Sequence, residues 1–211
     1  MNVLPSDLPQ RPLEKVAVYF DYENVHRTAH GIYAGYGEPL YETAVHPMKL
    51  AHRIVKKRNR PSKVEAVEVF RGRPVPEHQP TPASAYDKLK HEWQVAGCAV
   101  HSRDLKYEFP DELSGQFRSR EKGIDVALAV KMAHDAISGK YDAQILFSCD
   151  TDLLPILELG MELQSTHIEL ACWSQAHRLY VDRGRNLPYC HFLSRDDFVE
   201  CRSSAVLDQR D

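Results

Sequence analysis

What the sequence lacks narrows the field first. No apolar run in the 211 residues approaches the length of a membrane-crossing helix, so an integral membrane protein is not expected. A surplus of basic charge is missing too: 27 Lys and Arg face 30 Asp and Glu, for a net charge of −3. Contact with a polyanion must therefore come from a local basic patch, not from a global field. Residues 1–14 contain three prolines and no apolar centre, and read as a flexible lead-in rather than a signal peptide. Cysteine is sparse: Cys98, Cys149, Cys172, Cys190 and Cys201 are odd in number and widely spaced. Small buried thiols in a reducing compartment fit that pattern better than disulfides or zinc, and a cytoplasmic location is expected. There is no phosphate-binding P-loop, complete G-x-G-x-x-G or G-x-S-x-G, and no internal repeat.

What is present alternates. Residues 16–20 form a continuous apolar run, as in a strand covered on both faces. Residues 47–60 place Met48, Leu50, Ala51, Ile54 and Val55 on one side of a helix. Strands are expected at 63–70, 98–102, 143–148, 166–172 and 189–193, and helices at 83–96, 124–137, 152–164 and 175–182. A capped turn follows at 194–197. Residues 27–45 and 103–120 show no clear period and read as a lid-like loop and a mobile loop. This order implies βαβ units, a mainly parallel sheet, and one α/β domain over residues 15–200 with a tail at 201–211.

Acids stand at the ends of these strands. Ser148-Cys149-Asp150-Thr151-Asp152 follows one apolar strand, and Asp21-Tyr22-Glu23-Asn24 follows another. Open α/β sheets bind ligands at such carboxyl ends. Asp125 opens the helix at 124–137, in line with Leu128, Ala129, Met132 and Ala136, which carry its buried stripe. A carboxylate there needs a partner, and a metal, the helix N-terminus or Lys122 could each supply it. Taken singly the acids have simpler readings: Asp152 as a helix cap, Asp150 as an Asx turn. Taken together they suit Mg2+ or Mn2+, which favour hard oxygen ligands. The chemistry that fits is metal-dependent phosphodiester hydrolysis or, less specifically, metal-nucleotide binding. His26 and His30 have i, i+4 spacing that a zinc ion could use, but Asn24 and Gly31 argue for a loop.

Three motifs in order, Asp21-x-x-Asn24, the run from Lys122 to Ala129 (KGIDVALA), and Ser148-x-Asp150-x-Asp152, resemble the NYN domain of the PIN-like nuclease group. The resemblance covers nearly the whole chain. It implies a Rossmann-like three-layer sandwich with strand order near 3-2-1-4-5. It implies the ribonuclease activity of many members, with a divalent metal, Mg2+ or Mn2+, held by Asp21, Asp125, Asp150 and Asp152, and with Asn24 orienting a ligand or water; Thr151 is read beside it as a residue positioning the attacking water or the phosphate. Many members carry an acid where this chain has Lys131, and a glycine where it has Cys149. A non-catalytic module of the same fold, binding RNA or a protein, is the alternative.

RNA is the expected partner; DNA and self-association stay open. Lys49, Arg53, Lys56 and Arg60 make one stripe along the helix at 47–60, readable as a phosphate track or as an ordinary solvated face. Arg71 and Arg73 follow one strand and Arg103 and Lys106 follow another, on the same sheet edge as the acids. Lys122 joins them as a candidate phosphate contact.

Overall fold

The computed structural model describes residues 12–111, 116–181 and 187–203. Among these residues eight strands, β1 (Glu14–Asp21), β2 (Ser62–Arg73), β3 (Ala99–Asp104), β4 (Lys106–Asp111), β5 (Gln116–Arg120), β6 (Ala143–Phe147), β7 (His167–Trp173) and β8 (Tyr189–Leu193), are interleaved with six α-helices. The helices are α1 (Tyr22–Tyr33), α2 (Pro47–Lys56), α3 (Pro80–Val95), α4 (Ile124–Ile137), α5 (Leu154–Leu163) and α6 (Arg195–Glu200).

Six strands form one sheet in the order β3-β2-β1-β6-β7-β8, every pair parallel. Counting only these strands, the order is 3-2-1-4-5-6, so the α/β class and the central topology are as expected, with one further edge strand. β1 and β6 sit in the middle, which is why their residues are buried almost without interruption. Side chains alternate between the faces. Val16, Val18 and Phe20 enter one core with α1, α2 and α6, and Ala17 and Tyr19 enter a second with α4 and α5. The chain reverses its strand order between β1 and β6, so the crevice beyond their carboxyl ends is the topological switch point where such sheets bind ligands.

Four expectations change. Residues 27–33 are not loop: they continue α1, whose buried positions Tyr22, Val25, His26, Ala29 and Tyr33 recur at helical spacing. Asp21 caps this helix by accepting a bond from Asn24 N (3.4 Å). Residues 103–120 are not one loop. After β3 they form an antiparallel hairpin, β4 with β5, paired Tyr107 to Ser119 and Glu108 to Arg118. Residues 175–181 hold no helix: a turn at Ser174 leads into irregular backbone, and Asp182 lies outside the described residues. The helix expected over 47–60 ends at Lys56, leaving Arg60 beyond it. Among the described residues, no helix is long and apolar enough to cross a membrane.

Candidate metal centre

Three elements deliver the acids to one place. Asp21 ends β1, Asp125 lies in the first turn of α4, and Asp150 follows β6 as the cap of a 3-10 turn, Thr151–Leu153. One carboxylate oxygen from each lies within 4.8 Å of the others. α4 can start there because Gly123 takes a left-handed φ of 77°, which turns the chain out of the hairpin.

The turns are tied to one another. The Ser148 hydroxyl donates to Asp21 Oδ2 (2.7 Å) and accepts from Asp150 N (3.0 Å). Asn24 Oδ1 accepts from Cys149 N (3.0 Å), joining the turn after β1 to the turn after β6. Asp150 Oδ1 accepts from Asp152 N (2.9 Å). Asp152 and Thr151 are exposed, and Asp152 stands outside the three-acid group.

The electrostatics are those of unrelieved like charge. Burial raises the Asp21 carboxyl to about 6. The Ser148 hydroxyl pulls the other way, and nearby Asp125 and Asp150 push up again. Asp125 is raised as well, by burial and then by Asp150. Among the described residues, no ion pair involves Asp21, Asp125 or Asp150. Hard oxygen donors without a countercharge fit a divalent cation.

Two residues at the centre were not legible as site residues. Ser148 was visible only as a letter of the Ser-x-Asp-x-Asp turn. Glu121 gave no signal beyond being an acid before Lys122-Gly123. It accepts a bond from Gly72 N, and burial raises it to about 7, with Glu23, Asp21 and Asp125 adding to the rise. Glu121, Glu23, Arg71, Gly72, Gln79 and Ser119 line a cleft of about 500 Å³ beside the acids.

Lys131, where many resembling domains carry an acid, is engaged elsewhere. It pairs with Asp135 on its own helix and with Glu68 of β2 (3.2 Å). The basic candidates divide. Arg71 borders the cleft, with its guanidinium carbon 4.9 Å from the centre of the Tyr22 ring. Arg73 is bound to Asp87 (3.0 Å). Arg103 lies against Gly123, and Lys106 and Lys122 are exposed nearby in sequence. The α2 stripe faces a different neighbour: Arg53 pairs with Asp197 (2.9 Å) and Glu200 (3.0 Å), Arg60 with Glu14 (3.2 Å), and Lys49 donates to Arg202 O (3.3 Å). Lys56 is exposed. His26 and His30 both point at the Thr43 hydroxyl (3.2 and 3.1 Å), and burial lowers His26 to about 3, so both serve the packing of α1.

The family model for the NYN domain matches residues 15–177, which include every element of the acidic site. The chain belongs to the NYN domain family. NYN domains are generally PIN-like nucleases that act on RNA and use divalent metals. A solved structure of a protein of unknown function from Vibrio parahaemolyticus is similar to this NYN domain in fold. Its TM-score is 0.51 at 14% identity, over 94% of this chain and 90% of that one. No curated protein matches the chain.

Proposed function

We propose that this NYN domain is a metal-dependent ribonuclease, hydrolysing phosphodiester bonds at the Asp21–Asp125–Asp150 cluster. The observation that carries the reading is the convergence of these three carboxylates within 4.8 Å, from three separate elements and without a countercharge. Evolution tolerates such repulsion in a half-buried crevice where a cation relieves it in use.

Asp21, Asp125 and Asp150 are the residues that would hold Mg2+ or Mn2+, with Asp152 close enough in sequence to reach the site through water. The ion supplies Lewis acidity and a more acidic bound water. The chain's own groups do the rest. Ser148 fixes the Asp21 carboxylate, and Asn24 holds the two turns in register. Thr151 and Glu121 would orient water, Glu121 being raised to about 7. Arg71, Arg103, Lys106 and Lys122 supply phosphate contacts around the cleft. Arg73, with Lys49, Arg53 and Lys56 of α2 and Arg60 beyond it, belongs to the same reading as a weaker outer track, since Arg53, Arg60 and Arg73 are already paired.

The test is a cleavage assay on end-labelled RNA and DNA of the same sequence, in EDTA and then with added manganese. Cutting of RNA restored by manganese is the expected result. No cutting of either strand under any metal condition would leave a binding module instead.

A further inference from the structure

The β4–β5 hairpin is two-faced. Its register pairs Tyr107 with Ser119 and Lys106 with Arg120, so alternation puts Tyr107, Phe109 and Phe117 on one face, and Lys106, Glu108, Arg118 and Arg120 on the other. The three rings meet at 5.2 Å (Tyr107–Phe117) and 6.0 Å (Phe109–Phe117) between centroids. His78, from the connection after β2, joins them at 4.4 Å from Tyr107 and 5.3 Å from Phe109. None of the four belongs to either hydrophobic core, and Phe109 is 43% exposed. A sheet this small has no core of its own to fill, so four clustered, partly open rings call for a use.

Position and charge both point to nucleic acid. The Tyr107 hydroxyl donates to Gln79 (2.8 Å), and Gln79 lines the same cleft as Glu121 and Ser119. β5 ends at Arg120, five positions before Asp125. On the reverse face Lys106 and Arg118 are exposed, and among the described residues neither is in an ion pair. Rings that are open to a stacking partner, on a ribbon whose reverse face carries the exposed Lys106 and Arg118, match the two needs of an unpaired strand that follows the ribbon's edge: a face for each base and a charge for each phosphate. A duplex hides its base faces in its own stack and cannot use the rings.

We propose that the ring cluster of His78, Tyr107, Phe109 and Phe117 is a base-stacking platform that selects single-stranded RNA and leads it into the acidic cleft. This rests on the ribonuclease reading of that cleft.

The competing use of the rings is to dock the hairpin on the loop after β2, which needs apolar volume but no aromatic face. Affinities in EDTA for a labelled single strand of about twelve nucleotides, within the reach of one small domain, separate the two. Phe109→Leu should weaken single-strand binding about fivefold or more, at unchanged melting temperature and unchanged duplex affinity, and Phe109→Tyr should restore it. Wild-type protein should also bind a strand with abasic positions more weakly than the intact strand, a comparison that needs no variant to fold. Equal affinity for intact and abasic strands, or wild-type affinity in Phe109→Leu, overturns the platform. Cutting of the intact strand with manganese is scored separately: a wild-type chain that binds with this preference and never cuts overturns the nuclease reading and leaves the platform standing.

Discussion

The two ends of the central sheet treat their acids in opposite ways. At the carboxyl end, Asp21, Asp125 and Asp150 face one another, and burial and repulsion raise Asp21 to about 6. At the amino end, Glu169 of β7 is just as buried, but His191 (2.6 Å) and Arg58 (2.7 Å) close on it, and Arg58 also reaches Glu14 (2.9 Å). Burial alone would raise Glu169; the bonds from His191 and Arg58 outweigh it and hold the carboxyl at about 2. One fold thus contains a finished ion-pair network and an unfinished one, and the unfinished one sits at the switch point. Buried charge by itself does not mark a site; buried charge without its complement does.

The sharpest way to break this contrast is Asp150→Asn. Loss of a ligand and of the nucleophile's activation together should lower the cleavage rate by roughly a thousandfold or more while the fold persists. Retained cleavage with manganese would remove Asp150 from the site. Glu169→Gln probes the other end. Leaving Arg58 and His191 with a half-empty network should cost about 3 kcal/mol of stability in denaturant melts. The rate per folded molecule should not change; a fall would deny that the two ends are independent.

A smaller effect is expected from metal on the melting curve. An ion that binds only the native state stabilises it by about 2.7 kcal/mol at a hundredfold excess over its dissociation constant. Asp125→Asn should abolish most of that shift, whereas equal shifts in both proteins would make Asp125 a helix-start residue only. The smallest effect is in pH. Asp21 holds its proton more tightly folded than unfolded, so its contribution is fully present below its ordinary pKa and is lost as pH rises through about 6. In EDTA, wild type should therefore lose about 1 kcal/mol more than Asp21→Asn between pH 5 and pH 8. Parallel curves would contradict the raised carboxyl. Glu169 works in the opposite sense, its stabilisation failing only as pH falls toward 2.

Much of this was written in the local sequence. Strands β1 and β6 are central, and central strands are apolar on both faces, so their runs could not be mistaken. The three acids were legible because each directly follows or opens such an element. α1 was hidden because three of its five buried residues, Tyr22, His26 and Tyr33, are ambivalent in hydropathy, and because Gly31 suggested a break. The hairpin was hidden because it packs into neither apolar core, and its alternating rings and charges give no continuous apolar run. Glu121 and Ser148 act through partners that are far away along the chain, Gly72 and Asp21, and no window of sequence contains both members of either pair.

Gly72 has a consequence of its own for how this chain can vary. A methyl group at that Cα would press on the Leu105 side chain and on Glu121, whose Cγ and Oε1 would each stand 2.8 Å away. The backbone dihedrals there would accept any residue, so the cost of a larger one is set by how far the Leu105 and Glu121 side chains must move. A single hydrogen atom thus separates β2 from the residue that borders the acidic cleft. Lineages or engineered libraries that sample position 72 should return glycine alone wherever Glu121 keeps its bond, and larger residues only in company with a shorter side chain at 121.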